Sequence, residues 1–270
     1  MPDGHFSRDG QRRLLMAALG RQRVGKTTVL NTVVQYFRAQ GSEIGVWNAD
    51  QQNRTHSLST FFPDASVPPE GGLRDNRRWI ESSIKDQAEQ GYHAVLDAGG
   101  GLTGFSTLVE GVPVVEALAA LGTEMVGLFC VGPEQADLDY LDTFSRNGAF
   151  LPAATVIVMN EGLVLSGGST RAAFAPIQQN AAFIAAVRRG AKVAMFPALE
   201  CMAEVTDRGL TFEDAADGKV KPGQQPMASV FDPTRVRQWW TKKIPEFFGQ
   251  FPPEWLPTAR AASATPAEEG

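Results

Sequence analysis

Apolar positions along this chain fall into short runs that alternate with stretches of helical period. Residues 13–19 (RLLMAAL) form an apolar run ending at Gly20, the pattern of a buried strand. From Lys26 to Arg38 the residues Val29, Leu30, Val33, Val34 and Phe37 recur three and four apart. That spacing predicts an amphipathic helix, closed by Gly41. A second strand is predicted over 43–49, a helix over 73–90 and a buried strand over 93–98. The alternation continues with a helix near 107–121, a strand at 124–131 and a helix near 133–146. A strand at 154–160, a helix near 171–189 and a last strand at 192–198 complete it. Strands separated by helices need crossover connections. The pattern therefore predicts an α/β fold, a doubly wound, mostly parallel sheet with helices on both faces. In such sheets ligands bind beyond the carboxyl ends of the strands.

Two stretches break the pattern. The polar segment after the second strand carries Pro63, Pro68 and Pro69 and is long for a structureless loop, which favours a functional one. The second, GGGLTG (99–104), reads as a flexible turn. The expected organisation is a flexible N-terminus (1–11), one domain (12–252) and a disordered tail (253–270).

Composition narrows the function classes. With 270 residues, 43% hydrophobic and 20% charged, the chain has material for a buried core, which excludes global disorder. Thirty acidic against 25 basic residues give a net charge of −5, which argues against indiscriminate capture of nucleic acid but leaves room for a local basic patch. Two cysteines in or beside apolar runs, Cys130 and Cys201, exclude a disulfide framework and a Cys-rich zinc site. The opening MPDGHFSRDGQRR has no apolar leader, and Val112–Val131 is broken by Pro113, Glu116 and Glu124, so a cytoplasmic protein is expected.

The strongest chemical signal is Gly20-Arg21-Gln22-Arg23-Val24-Gly25-Lys26-Thr27, which fits G-x-x-x-x-G-K-[ST] between a strand and a helix. In such a loop, main-chain N–H groups from Gly20 through Arg23, Val24, Gly25 and on to Thr28 face a polyphosphate. Lys26 adds a point charge on the β- and γ-phosphates, and the Thr27 hydroxyl can ligate Mg²⁺. Asp97, closing the strand Ala94-Val95-Leu96, is the expected acidic partner for the metal. Gly99, Gly101 and Gly104 also spell G-x-G-x-x-G, a dinucleotide signature when it occupies the first βα turn. Here it follows a later strand, so it reads as a switch loop.

With these residues in view, GRQRVGKTT (20–28), WNADQQNRT (47–55), AVLDAGGG (94–101) and VIVMN (156–160) resemble the motif series of the ParA/MinD deviant-Walker ATPases, over roughly residues 13–200. The resemblance is also to a plasmid or conjugal-transfer branch of that family. It implies ATP and Mg²⁺ as ligands and an ATP-dependent homodimer with slow, partner-stimulated hydrolysis. Arg21 stands where the family has a signature lysine that reaches the nucleotide of the opposite subunit. An arginine keeps that charge and adds bidentate geometry. Gln22 and Arg23 replace two usual glycines. Asn48 and Asp50 stand where the family has two aspartates. By resemblance Asp50 orients the attacking water and helps arrange the magnesium shell, with Gln52 and Asn53 as further switch residues. Asn160 matches a contact to the adenine edge, and Pro197 with Ala198 matches a region lining the adenine pocket. The guanine-reading Asn/Thr-Lys-x-Asp pattern is absent after Asn160, which tilts the nucleotide toward ATP.

Residues 234–251 place Trp240, Ile244, Phe247, Phe248 and Phe251 at helical spacing beside Arg235, Arg237, Lys242 and Lys243. Core or dimer packing is the leading reading. A membrane-contacting helix and a nucleic-acid contact are the alternatives. The function expected is an ATP-dependent dimerisation switch that positions or partitions DNA or a protein complex, with a stimulating protein and non-specific DNA as partners. An ATP-dependent small-molecule synthetase or kinase, and a degenerate nucleotide-binding protein without turnover, are the competing classes.

Overall fold

Every residue of Arg13–Leu19 (β1) is buried, which requires a neighbour on each side and cover on both faces. The computed structural model, which describes residues 12–50, 57–70, 72–99, 113–146 and 152–259, supplies all of these. After β1 come Lys26–Ala39 (α1), Ile44–Asn48 (β2), Leu58–Phe61 (α2), Leu73–Gln90 (α3) and His93–Asp97 (β3). Val114–Ala120 (α4), Thr123–Val131 (β4), Asp139–Arg146 (α5) and Ala154–Asn160 (β5) follow. Then come Thr170–Gln178 (α6), Ala181–Arg188 (α7), Lys192–Phe196 (β6), Met202–Asp207 (α8), Phe212–Ala216 (α9), Asp232–Gln238 (α10) and Ile244–Phe248 (α11). The six strands form one sheet in the order β2-β3-β1-β4-β5-β6 with every pair parallel.

The expected doubly wound architecture is what the chain adopts. Its buried apolar residues divide between the two sheet faces. On one face Val29, Leu30, Val33 and Val34 of α1 pack with Phe212, Trp239 and Phe247. On the other, Ile80 of α3, Leu118 of α4, Leu141 of α5 and Phe174 of α6 cover the sheet. The order reverses at β1, so its carboxyl end, flanked by those of β3 and β4, is the crevice where such sheets bind ligands.

Several expected boundaries move. The helix expected over 171–189 is two helices, because the Asn180 side chain accepts the Ala182 N–H at 2.8 Å and caps a new start. The helix expected from 133 opens instead with a 3₁₀ turn, Gln135–Leu138. Within the polar segment after β2, Leu58–Phe61 is helical and Ser66 pairs with Trp47 at the sheet edge. The C-terminal helix is split by a wide π turn, Trp239–Lys243, ahead of Pro245, which has no N–H to close the ordinary bond. Its aromatic stripe, Trp240, Phe247, Phe248 and Phe251, is buried in the chain's own core, so that face is not offered to a membrane. Residues 253–259, expected to belong to a disordered tail, are placed against the core. Pro253–Trp255 forms a 3₁₀ turn, Trp255 and Leu256 pack against the core, and the Thr258 N–H faces His93. Residues 1–11, 260–270, Gln52, Asn53, Gly101 and Gly104 lie outside the described residues.

Candidate functional site

The loop after β1 is shaped by three left-handed residues: Gly20 (φ 137°), Arg23 (φ 65°) and Gly25 (φ 91°). A Cβ on Gly20 would come within 2.5 Å of the Cys130 carbonyl oxygen, and one on Gly25 within 2.3 Å of Asn160 Nδ2. Both positions thus require glycine for space as well as for φ. Arg23 stands in the same backbone region with a Cβ present, a strain of about 1 kcal/mol that the loop sustains. Gly25 caps α1 without a side-chain acceptor, and no acidic residue lies in the first turn. The first N–H groups of α1 therefore keep their partial positive charge for an anion.

Lys26, 6% exposed, folds back over this loop. Its Nζ donates to the carbonyls of Gly20 at 3.0 Å and Arg21 at 2.6 Å. Burial holds the ammonium below the ordinary lysine range, opposed by the charges of Asp97 and Asp50. The Thr27 hydroxyl donates to Asp97 Oδ2 at 2.7 Å, joining α1 to the end of β3 across 70 positions. Asp97 is 1% exposed, and the Gly99 N–H donates to its other oxygen at 3.1 Å. Burial pushes its carboxyl up, while the Thr27 and Gly99 donors pull it down. The Thr28 carbonyl accepts from the Thr32 hydroxyl at 2.8 Å.

Asp50 lies at the end of β2 beside the same carboxyl. A Cβ on Gly99 would be 3.4 Å from Asp50 Cγ. Asn48, buried, sets this position. Its Oδ1 accepts the Asp50 N–H at 3.1 Å and its Nδ2 donates to Ser59 Oγ at 2.8 Å. The residue that departs from the resembled motif is thus a bracket between β2, Asp50 and α2. The structure brings Lys26, Thr27, Asp97 and Asp50 together at the carboxyl end of the sheet. Thr27 and the two aspartates are hard oxygen donors of the kind Mg²⁺ takes one or two at a time, leaving its other positions to phosphate and water. Those residues fit a phosphate-bound magnesium ion.

Three expected residues are engaged elsewhere. Arg21 Nη1 donates to Glu134 Oε2 and Asp137 Oδ1, both at 3.1 Å, within its own chain. Asn160 Nδ2 donates to the Val24 carbonyl at 3.0 Å and its Oδ1 accepts the Gly162 N–H at 3.0 Å. The Pro197 carbonyl accepts the Trp239 indole N–H at 2.9 Å. Sequence reasoning missed Asn48 as a bracket and Glu134 with Asp137 as partners of Arg21. Partners that meet 113 and 116 positions away leave no local signal.

No protein-family model and no curated protein matches the chain. Among solved structures it is similar to the MinD cell division protein of Aquifex aeolicus, at 15% identity and a TM-score of 0.48, covering 83% of this chain and 95% of that one. It is also similar to the signal recognition particle receptor FtsY of Elizabethkingia anophelis in complex with GDP, at 12% identity and a TM-score of 0.43, covering 88% of this chain and 66% of that one. A third is the signal recognition particle 54 kDa protein of Aeropyrum pernix in complex with GDP, at 13% identity and a TM-score of 0.41, covering 92% of this chain and about half, 51%, of that one. The strand order, the loop after β1 and the Thr27–Asp97 contact stand on this chain's own geometry. By them the chain has a doubly wound, parallel α/β fold with a P-loop motif after its first strand.

Proposed function

We propose that the chain is a ParA/MinD-like ATPase, a switch that dimerises on ATP, hydrolyses it slowly and thereby positions or partitions DNA or a protein complex. The observation that supports this reading is the meeting of Lys26, the Thr27–Asp97 pair and Asp50 around a loop whose helix N-terminus is uncapped. Lys26 would exchange its two loop carbonyls for phosphate oxygens, neutralising charge in a buried setting where that is most effective. Thr27 and Asp97, with Asp50 alongside, would hold Mg²⁺, which supplies charge neutralisation on the phosphates. Asp50, kept in place by Asn48, would orient water toward the terminal phosphoryl group. Asn160 would act on the nucleotide through the loop, by fixing Val24 and Gly25.

The switch works to the extent that ATP makes contacts in the dimer that ADP lacks. Arg21 would make one of them across the interface, after leaving Glu134 and Asp137. We place the protein in the cytoplasm, with a stimulating protein and non-specific DNA as partners. No helix among the described residues is long and apolar enough to cross a membrane.

Light scattering with ADP, with ATP and with ATP on Asp50→Ala tests the reading. Dimers formed by ATP alone and persisting in Asp50→Ala support it. A monomer under all three conditions despite tight ATP binding excludes the switch.

A further inference from the structure

The two outer edges of the sheet are finished differently. Along β2 the chain's own backbone fills the next strand position. The Ser66 N–H donates to the Val46 carbonyl at 2.8 Å, and the Asn48 N–H donates to the Ser66 carbonyl at 2.9 Å. Along β6, the strand at the other end of the order, a side chain stands in that place. The Met195 N–H donates to Gln250 Oε1 at 2.8 Å, and Gln250 Nε2 donates to the Met195 carbonyl at 3.4 Å. A carboxamide is chemically a peptide group, with an acceptor and an N–H donor side by side. Gln250 thus occupies the position of a neighbouring strand's amide, from an exposed turn after α11.

Main-chain groups alternate along a strand as side chains do. Met195 turns outward, so Val193, two residues earlier, turns its N–H and C=O to the same edge. On the sheet face that α7 covers, Val193 and Met195 are half-buried. There α7 itself exposes Ile184 and Val187, at 37% and 40%. The charge around this corner is one-sided. No Asp or Glu stands between Glu161 and Glu200, where the chain's overall acidic content would place about four. The same stretch carries Arg188, Arg189 and Lys192, all exposed at the start of β6.

An edge already paired to an amide, an apolar ledge beside it and a basic rim on a chain of net charge −5 suit one kind of occupant. We propose that the β6 edge takes an extended segment of a partner protein, apolar at alternate positions and acidic at one end, as a further strand of the sheet. Gln250 is the plug that this segment displaces. Its main-chain N–H and C=O groups take over Met195 and reach Val193, and its acidic end meets Arg188 and Lys192. The β6 strand lies three places from β1 in the sheet, so binding is measured without nucleotide.

The probe is a labelled peptide blocked at both ends, EEVTVTVT, with KKVTVTVT as its basic counterpart, read by fluorescence anisotropy on the full chain. Gln250→Ala removes the plug and is expected to bind EEVTVTVT at least ~10-fold more tightly than wild type does. Arg188→Glu with Lys192→Glu, both at exposed positions, should abolish that gain when added to Gln250→Ala. EEVTVTVT N-methylated at every main-chain amide should lose it too, because strand addition needs those N–H groups. No gain in Gln250→Ala overturns the proposal. So does equal binding of the acidic and basic peptides, or a gain that survives charge reversal or N-methylation. Gln250→Ala protein that self-associates without peptide, measured by sedimentation, gives the edge to a second copy of the chain and overturns it as well.

Discussion

Asn160, at the end of β5, holds Val24 in the loop after β1: its Nδ2 donates to the Val24 carbonyl at 3.0 Å across 136 positions. The same nitrogen would lie 2.3 Å from a Cβ on Gly25, so side chain and glycine are shaped to each other. A residue with this contact acts on the phosphates through the loop. Asn160→Ala is expected to weaken Mg·ATP and Mg·tripolyphosphate alike, by ~10-fold each. Titration of both ligands checks it; a loss confined to ATP would return Asn160 to the base.

Arg21 is paired within its own chain by Glu134 and Asp137, which hold its guanidinium above the ordinary arginine value, Glu134 most strongly. The Glu134 side chain is 72% exposed, so this contact is well placed to open. Glu134→Gln is expected to raise the fraction of ATP-dependent dimer at a given protein concentration. Arg21→Ala should abolish the dimer and leave monomer ATP affinity within about twofold. Sedimentation with ATP measures the first and titration the second. Loss of monomer affinity in Arg21→Ala would mean a role within one subunit.

Thr27 and Asp97 form the junction between α1 and β3. Asp97→Asn keeps an acceptor for Thr27 and removes a buried charge that desolvation disfavours. The variant should be at least as stable as wild type in urea titrations. Its ATP affinity should become insensitive to Mg²⁺, a loss of at least ~10-fold in the presence of the metal. Retained magnesium dependence would exclude Asp97 from the ion's shell.

His93, at the start of β3, is buried with both ring nitrogens facing main-chain N–H groups, Leu14 at 3.2 Å and Thr258 at 3.3 Å. A neutral ring can accept from one of them, and an imidazolium from neither. Burial holds its pKa below the usual 6.5. The unfolded chain therefore binds the proton first as pH falls. Stability contributed by neutral His93 is complete above about pH 6.5 and declines as pH drops toward the folded value. Urea midpoints should fall on acidification from pH 7 to pH 5.5, and His93→Asn should flatten that dependence. An identical slope in the variant would remove His93 as its source.

The sheet was readable because its signals are local. Each strand from Arg13–Leu19 to Lys192–Phe196 is a short apolar run beside a helical period. The loop after β1 is likewise a contiguous motif. What escaped the sequence depends on contacts between distant parts. The helices Met202–Asp207 and Phe212–Ala216 are too short for a period, and their place is set by packing on α1, as the Phe212–Gln35 bond shows. The turn at 253–255 has a polar, proline-rich sequence, and its order comes from Trp255 and Leu256 meeting the core. Asn160 read as a contact to the adenine edge because nothing near it in sequence announces Val24.

The loop after β1 as a triphosphate site is the premise beneath all of these expectations. Isothermal titration of Mg·ATP into wild type and Lys26→Ala tests it most directly. Saturable binding by wild type, weakened at least ~100-fold in a Lys26→Ala variant that keeps its unfolding midpoint, is the result expected. Equal affinity in the two proteins, or no heat of binding in wild type, would contradict it.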